Sequence, residues 1–361
     1  MPGLTASHSV RAMSAEAVPA LPAAEPPRSA LVTGAAGYLG STLVHRLLGE
    51  GCAVVALDHL QHGHAEALPL GTPLVRGDIR DPEALSEALG RLGRAPDVVF
   101  HLAGLIQVGE SMREPERYLS VNAGGTAALA AAALEAGVEA MVLASSAAVL
   151  ASGQHADDRL DETWPLEPAS PYGESKVAAE RTLAAAADTG RMTSIALRMF
   201  NLCGAAHGCA ERHAPETHLI PLAIDAALGR RPPLTVLGND FPTPDGTPLR
   251  DYVHIEDVIE AFVAAGRRAL ALQRGNLPSF EVYHVGCGVP SSVLQVIAAV
   301  ERVLGCKVPY QVGPRRAGDA VSLVADPTLL QRRLGVRPAA DLDRAVRDSL
   351  RVLRPAPEIV T

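Results

Sequence analysis

Apolar and polar positions follow two rhythms along this chain. Short apolar runs predict strands: ALVTG (30–34), AVVALD (53–58), PLVRGD (73–78), DVVFHLAG (97–104), AMVLASS (140–146) and SIALRMFN (194–201). Segments with helical spacing lie between them. YLGSTLVHRLLGEG (38–51) ends on glycine, PEALSEALGRL (82–92) follows, and a long alanine-rich segment is GTAALAAAALEAG (125–137). A further helix starts near Pro171. Strands separated by helices predict an α/β protein, with a doubly wound parallel sheet covered on both faces. From about residue 202 the pattern loosens, and Pro, Gly and Asn clusters separate shorter elements. This predicts a smaller mixed α/β domain over 206–354 after a first domain over 29–205, with some later segments returning to the main sheet. Residues 1–28, rich in Pro, Ala and Glu, read as a disordered tail, and 355–361 as a second one.

Composition narrows the function classes. The chain has 361 residues with a net charge of −8. That balance argues against nonspecific nucleic-acid binding and against an anionic membrane surface. No apolar stretch reaches 18 residues, so no membrane-spanning helix is expected. The N-terminal segment lacks the continuous apolar core of a signal peptide. Cys52, Cys203, Cys209, Cys287 and Cys306 form an odd, scattered set, which points to reduced thiols in the cytoplasm.

Two short stretches carry chemistry. VTGAAGYLG (32–40) follows the first strand and opens the first helix, with Gly34, Gly37 and Gly40 spaced as G-x-x-G-x-x-G. Such a turn lets a pyrophosphate approach the backbone at a helix N-terminus. Asp58 closes the second strand, where a carboxylate binds the ribose 2′-hydroxyl of NAD and repels the 2′-phosphate of NADP. Together they predict a Rossmann-type NAD site. The second stretch is SPYGESK (170–176). Ser170 caps a helix, Pro171 takes its first position, and Tyr172 and Lys176 share one face. A free tyrosine has a pKa of about 10, so it is a poor base near neutrality unless positive charge stabilises its phenolate. Lys176 supplies part of that charge and NAD⁺ the rest. Ser146, at the end of the strand in LASSAAV, is placed to bond a substrate hydroxyl whose proton passes to Tyr172.

The glycine turn and the Ser, Tyr and Lys set resemble the extended short-chain dehydrogenase/reductase family. LRMFNLCGA (197–205), PETHLIPLAI (215–224), VLGNDFPTPDGTPLRDYVHIEDV (236–258) and GPRRAGD (313–319) resemble its UDP-glucose 4-epimerases, as do AGLIQVGES (103–111) and GDIRD (77–81). The resemblance runs from about residue 29 to 350 and implies a homodimeric enzyme of galactose metabolism. It would interconvert UDP-glucose and UDP-galactose through a 4-keto sugar, with NAD tightly held. For the cofactor it implies Tyr38 and Leu39 at the pyrophosphate, Asp78 and Ile79 by the adenine, and Leu102 and Ala103 by the pyrophosphate and ribose. Asn122 would support the cofactor and Phe200 would flank the nicotinamide. For the substrate it implies Asn201, His218 and Leu219 facing the diphosphate and uridine, and Thr235 and Leu237 flanking the uracil. Arg250 and Arg316 would meet the phosphates, and Asp319 the uridine ribose.

Several positions depart from the family pattern. His59 follows Asp58 where the family commonly has Asn, Ile106 replaces a lysine, Met199 an aromatic, and Leu150-Ala151 a Tyr-Gly pair. Leu323 falls where the family often has a tyrosine that limits sugar size, so N-acetylated UDP-sugars become an alternative substrate. UDP-pentose or UDP-uronate epimerisation remains open, as does a non-catalytic NAD-sensing role. Ala147-Ala148 stand where a 4,6-dehydratase needs an acidic pair. Cys203, His207, Cys209 and His213 have a zinc-like spacing, but no metal site is expected there.

Overall fold

The computed structural model describes residues 25–211, 216–315 and 319–353. The chain begins β1 (Ser29–Thr33), α1 (Tyr38–Gly49), β2 (Ala53–Asp58), β3 (Leu74–Arg76), α2 (Pro82–Gly90) and β4 (Val98–His101). Two short turns of helix follow, α3 (Val108–Ser111) and α4 (Pro115–Tyr118). α4 continues through a π-helical turn, Leu119–Gly124, into α5 (Gly125–Ala136). Then come β5 (Ala140–Ser146), α6 (Pro171–Asp188), β6 (Thr193–Met199) and β7 (Asn201–Cys203). The second half holds α7 (Leu219–Ala227), β8 (Leu234–Leu237), β9 (Leu249–His254), α8 (Ile255–Arg274), β10 (Phe280–Val285) and β11 (Pro290–Ser292). It closes with α9 (Val293–Leu304), β12 (Tyr310–Gly313), β13 (Ser322–Leu323), α10 (Thr328–Leu334) and α11 (Leu342–Leu353).

Seven strands form one parallel sheet in the order β10-β6-β5-β4-β1-β2-β3. The strand runs are mostly apolar because both faces are covered. Val32 and Phe100 point to the face packed by α1 and α8, while Leu31 and Val99 point to the face packed by α2, α5 and α6. Phe262 of α8 meets Phe100 edge-on, with ring centroids 6.4 Å apart. Thus β10, from the second half, completes the first sheet, and α8 covers one of its faces. The remaining second-half elements build a smaller unit. β9 pairs with β7, β11 and β13, β8 pairs with β12, and α7, α9 and α11 share a separate core around Ile224 and Val300.

Two boundaries differ from expectation. The tail is expected over 1–28, yet Pro27 is buried and the Arg28 N–H donates to Asp97 Oδ2 at 2.8 Å. The helix expected over 125–137 is preceded by ten further helical residues from Pro115. The π-helical turn breaks the 3.6-residue period there, which hides the continuity from pattern reading.

Candidate active site

A cavity of about 960 Å³ opens at the C-terminal ends of β1, β2, β4 and β5. This is where strand order reverses, so the loops diverge and leave a crevice. Its floor is the glycine turn. Gly34 has φ +66°, and a Cβ there would stand 2.6 Å from Ala103 N. A Cβ on Gly40 would stand 2.1 Å from Gly34 O. These two glycines therefore serve the turn and the packing of helix on turn. Gly37 lines the cavity itself and precedes α1, which no side chain caps. The first N–H groups of α1, at Tyr38 and Leu39, offer a diphosphate its donors. The Tyr38 hydroxyl is spent elsewhere, donating to Gly204 O at 2.6 Å.

The rest of the expected cofactor set follows the rim. Asp58 Oδ2 accepts from Ala36 N at 3.0 Å and Oδ1 from Leu60 N at 2.8 Å, which braces the glycine turn against β2. Asp78 is gripped by Arg80 at 2.7 Å, and that bond holds its carboxyl below the usual range. Ile79, Leu102, Ala103 and Phe200 line the cavity. Asn122 lies behind the wall. It brackets Leu105 through N–H and C=O, at 2.8 and 3.0 Å, and donates to Ser175 Oγ at 2.9 Å. It supports the cavity without lining it. The helix N-terminus, bare Gly37 and the strand-end carboxylate of Asp58 together fit a dinucleotide.

Ser146, Tyr172 and Lys176 converge on the same cavity. Ser170 caps α6 by accepting from Gly173 N at 3.2 Å, with Pro171 at the first position. That start fixes the register of Tyr172 and Lys176. Burial pushes the Tyr172 phenol up, and a hydrogen bond with Ser146 pulls it part of the way back. Lys176 Nζ lies 5.9 Å from the Tyr172 ring centroid and donates to Ala144 O at 2.9 Å. Burial lowers its pKa to about 8, against the opposing charge of Glu180. The protein's own groups thus leave the phenol protonated at neutral pH, and a further positive charge is needed to make it a base.

The expected substrate residues divide in two. Asn201, His218 and Leu323 line the cavity beside Tyr172. Burial would lower His218, but its 2.8 Å bond with Glu216 and the charge of Glu211 outweigh that and raise it. Leu219, Thr235, Leu237, Arg250 and Asp319 do not line this cavity. They sit in the smaller unit, on α7, β8, β9 and just before β13. Arg250 Nη2 lies 3.7 Å from Asp319, and Nη1 donates to Ala320 O at 3.1 Å. Arg316 and His213 lie outside the described residues.

Sequence reading missed several residues beneath the site. Tyr118 stacks edge-on against Tyr172, with centroids 6.3 Å apart, and its hydroxyl donates to Glu110 at 2.7 Å. No local pattern links these two tyrosines. His101 is buried between Thr33 and Thr126, at 2.8 and 2.9 Å. The Thr126 hydroxyl donates to Asn122 O, so it accepts from His101 Nε2–H, and Thr33 donates to Nδ1. Glu180 and Arg198 form a buried ion pair at 2.7 Å below Lys176. The four-residue step from Lys176 to Glu180 was a readable signal. The zinc-like segment is spent on other contacts: Cys203 Sγ donates to Val253 O and His207 stacks on His45. Among the described residues no cluster of three or more His, Cys, Asp or Glu is arranged to hold a metal ion. Cys287 Sγ donates to Tyr252 O at 3.2 Å, and burial with the charge of Asp251 pushes its thiol well up.

Comparison with known proteins agrees with this geometry. Residues 30–286 match the model of the NAD dependent epimerase/dehydratase family. The chain is 40% identical to the UDP-glucose 4-epimerase of Streptomyces lividans, over 86% of this chain and 92% of that one. It is similar in structure to the UDP-glucose 4-epimerase of Stenotrophomonas maltophila solved with NAD and formylated UDP-arabinopyranose. The TM-score is 0.83 and the identity 34%, over 90% of this chain and 97% of that one. The Brucella ovis enzyme in complex with NAD gives a TM-score of 0.83 at 35% identity, over 90% and 98%. A glycine turn over a strand-end crevice, a Ser, Tyr and Lys set beside it, and near-complete coverage by these relatives lead to one conclusion: the chain belongs to the NAD dependent epimerase/dehydratase family, in its UDP-glucose 4-epimerase branch.

Proposed function

We propose that this protein interconverts UDP-glucose and UDP-galactose by oxidation and re-reduction at sugar C4. The observation that carries this reading is the convergence of Ser146, Tyr172 and Lys176 on the cavity floored by the glycine turn. Bound NAD supplies the hydride acceptor for C4, the positive charge beside the phenol, and the hydride that returns. Gly37 and the N-terminus of α1 would hold its diphosphate, Asp58 its ribose, and Asp78 with Ile79 its adenine. Ser146 bonds the sugar 4-hydroxyl, and Tyr172 takes the 4-hydroxyl proton as C4 loses hydride. Lys176 keeps positive charge behind the ring, so the phenolate persists long enough to act as base. After the 4-keto sugar turns over, Tyr172 returns its proton to O4. Asn201, His218 and Leu219 hold the diphosphate and uridine, Thr235 and Leu237 the uracil, Arg250 and Arg316 the phosphates, and Asp319 the ribose. A planar guanidinium fork suits phosphate oxygens. Residues 29–205 serve the cofactor and, through Ser146, Tyr172 and Asn201, the reacting sugar and its diphosphate, and 206–354 serve the UDP-sugar. The same reading takes the protein as a cytoplasmic homodimer. All five cysteines are free thiols, which suits a reducing compartment.

A second reading concerns substrate width. Leu323 lines the cavity and packs against the apolar cluster that contains Phe200, where the family often has a bulkier tyrosine. The smaller side chain leaves room for an N-acetyl group. Purified protein is to be given UDP-galactose and UDP-N-acetylgalactosamine separately, without added NAD, beside Tyr172→Phe. Conversion of UDP-galactose, reduced on the order of 10²–10⁴-fold in the variant, is expected for loss of a general base. Conversion of both sugars supports the wider pocket. Conversion of neither, even with NAD added, overturns the assignment.

A further inference from the structure

We propose that Glu180 is a positioning residue for the reaction: its buried carboxylate, clamped by Ser145 and Arg198, holds Lys176 as a cation and fixes the strand end that carries Ser146. The inference rests on the proposed function and deepens it. Glu180 follows Lys176 by one helical turn on α6 and is 4% exposed. Its Oε1 accepts from Ser145 Oγ at 2.6 Å and from Arg198 Nε at 2.9 Å, and its Oε2 from Arg198 Nη2 at 2.7 Å. One carboxylate therefore ties α6 to β5 and β6. Ser145 lies between Ala144, whose carbonyl takes the Lys176 proton donor, and Ser146, which bonds Tyr172. A shift of Ser145 would move both neighbours.

Electrostatics point the same way. Lys176 is buried, and desolvation works against its charge. Tyr172 and Glu180 on its own helix and His101 on β4 act on it, while Glu180 in turn bonds Arg198 on β6, which meets His284 on β10. Tyr118 of α4 lies edge-on to Tyr172, and α3 brings Glu110, which is held by Tyr118 and Arg117. His101 is buried with a pKa lowered to about 3, so it stays neutral. His284 donates from Nδ1 to Leu160 O, which leaves Nε2 to accept from Arg198, so it is neutral too. Glu180 is then the anion that offsets the two buried cations, Arg198 and Lys176. Arginine would keep its charge here without help, whereas lysine titrates when buried. The chain has 32 basic side chains of which only Lys176 and Lys307 are lysines. Lys307 is exposed and paired with Glu301 at 2.8 Å.

Those two lysines make the test direct. Full-length protein with ¹³C-labelled lysine gives two ε-CH₂ signals, and Lys307 is the internal control. Both are titrated by NMR in the wild type, Glu180→Gln and Glu180→Asp. The wild-type Lys176 midpoint is expected above neutrality and below that of Lys307. Glu180→Gln is expected to lower it by on the order of one pH unit, since Arg198 is then uncompensated. Glu180→Asp keeps the charge and is expected to keep the wild-type midpoint. The alkaline limb of kcat is expected to move with the Lys176 midpoint in each variant. A wild-type midpoint below neutrality overturns the proposal. So does a midpoint unchanged in Glu180→Gln, with only Tm lowered, because Glu180 would then be packing alone. The titration is readable whether or not the protein converts UDP-galactose, so a failed epimerase assay sinks the function without deciding this point.

Discussion

At the scale of single residues, burial is the force that every charged group in the site must answer. Tyr172 is pushed up and Lys176 down by the same desolvation, so neither is tuned by the other alone. Y-x-x-x-K was legible in the sequence, because its chemistry depends on a local four-residue step. The bond from Lys176 to Ala144 O was not, since it joins α6 to β5 across thirty-two positions. Buried His101 was hidden for the same reason, and it carries a pH prediction. Burial, reinforced by the charge of Lys176, depresses it from 6.5 to about 3 in the folded protein. The unfolded chain therefore binds a proton that the folded chain refuses. Stability from neutral His101 is complete above about pH 6.5 and is lost progressively as pH falls towards 3. Denaturant titrations between pH 7 and 4 are expected to show wild type losing stability more steeply than His101→Gln. Equal slopes would show that His101 is not the group taking up the proton.

At the scale of elements, the site depends on where two helices begin. α1 starts directly on the glycine turn and keeps its first N–H groups for a ligand, while α6 starts on a side-chain cap that fixes Tyr172. Both starts were readable, because caps and first-turn prolines are local signals. Removing the cap with Ser170→Ala is expected to cost about 1 kcal/mol. Since Tyr172 lies in the first turn, kcat is expected to fall more than that stability loss alone implies. Urea unfolding and kcat on one preparation check both, and an unchanged kcat would show that tertiary packing places Tyr172 without the cap. The run from α4 through the π-helical turn to α5 escaped pattern reading, because an inserted residue breaks the helical period. That irregular turn carries Asn122, which braces Leu105 and Ser175 behind the cavity. The departure from regular structure falls where the site needs a wall.

At the scale of the whole molecule, the parallel sheet leaves one crevice at its switch point, and the smaller unit supplies a second set of polar groups beside it. The alternation of strands and helices made the first part legible. The return of α8 and β10 to the sheet was expected only in outline, because which later strand pairs with β6 is a tertiary outcome. The division of expected substrate residues between the cavity and the β8–β9–β13 wing was not visible at all, since both groups lie on loosely patterned segments. The central claim is that C4 gives up hydride and receives the same hydride back inside this crevice. UDP-galactose carrying deuterium at C4 tests it most directly, with the UDP-glucose formed in ordinary water analysed by NMR and mass spectrometry. Full retention of deuterium at C4 is the result expected from oxidation and return in a closed site. Replacement of the label by solvent hydrogen would contradict it.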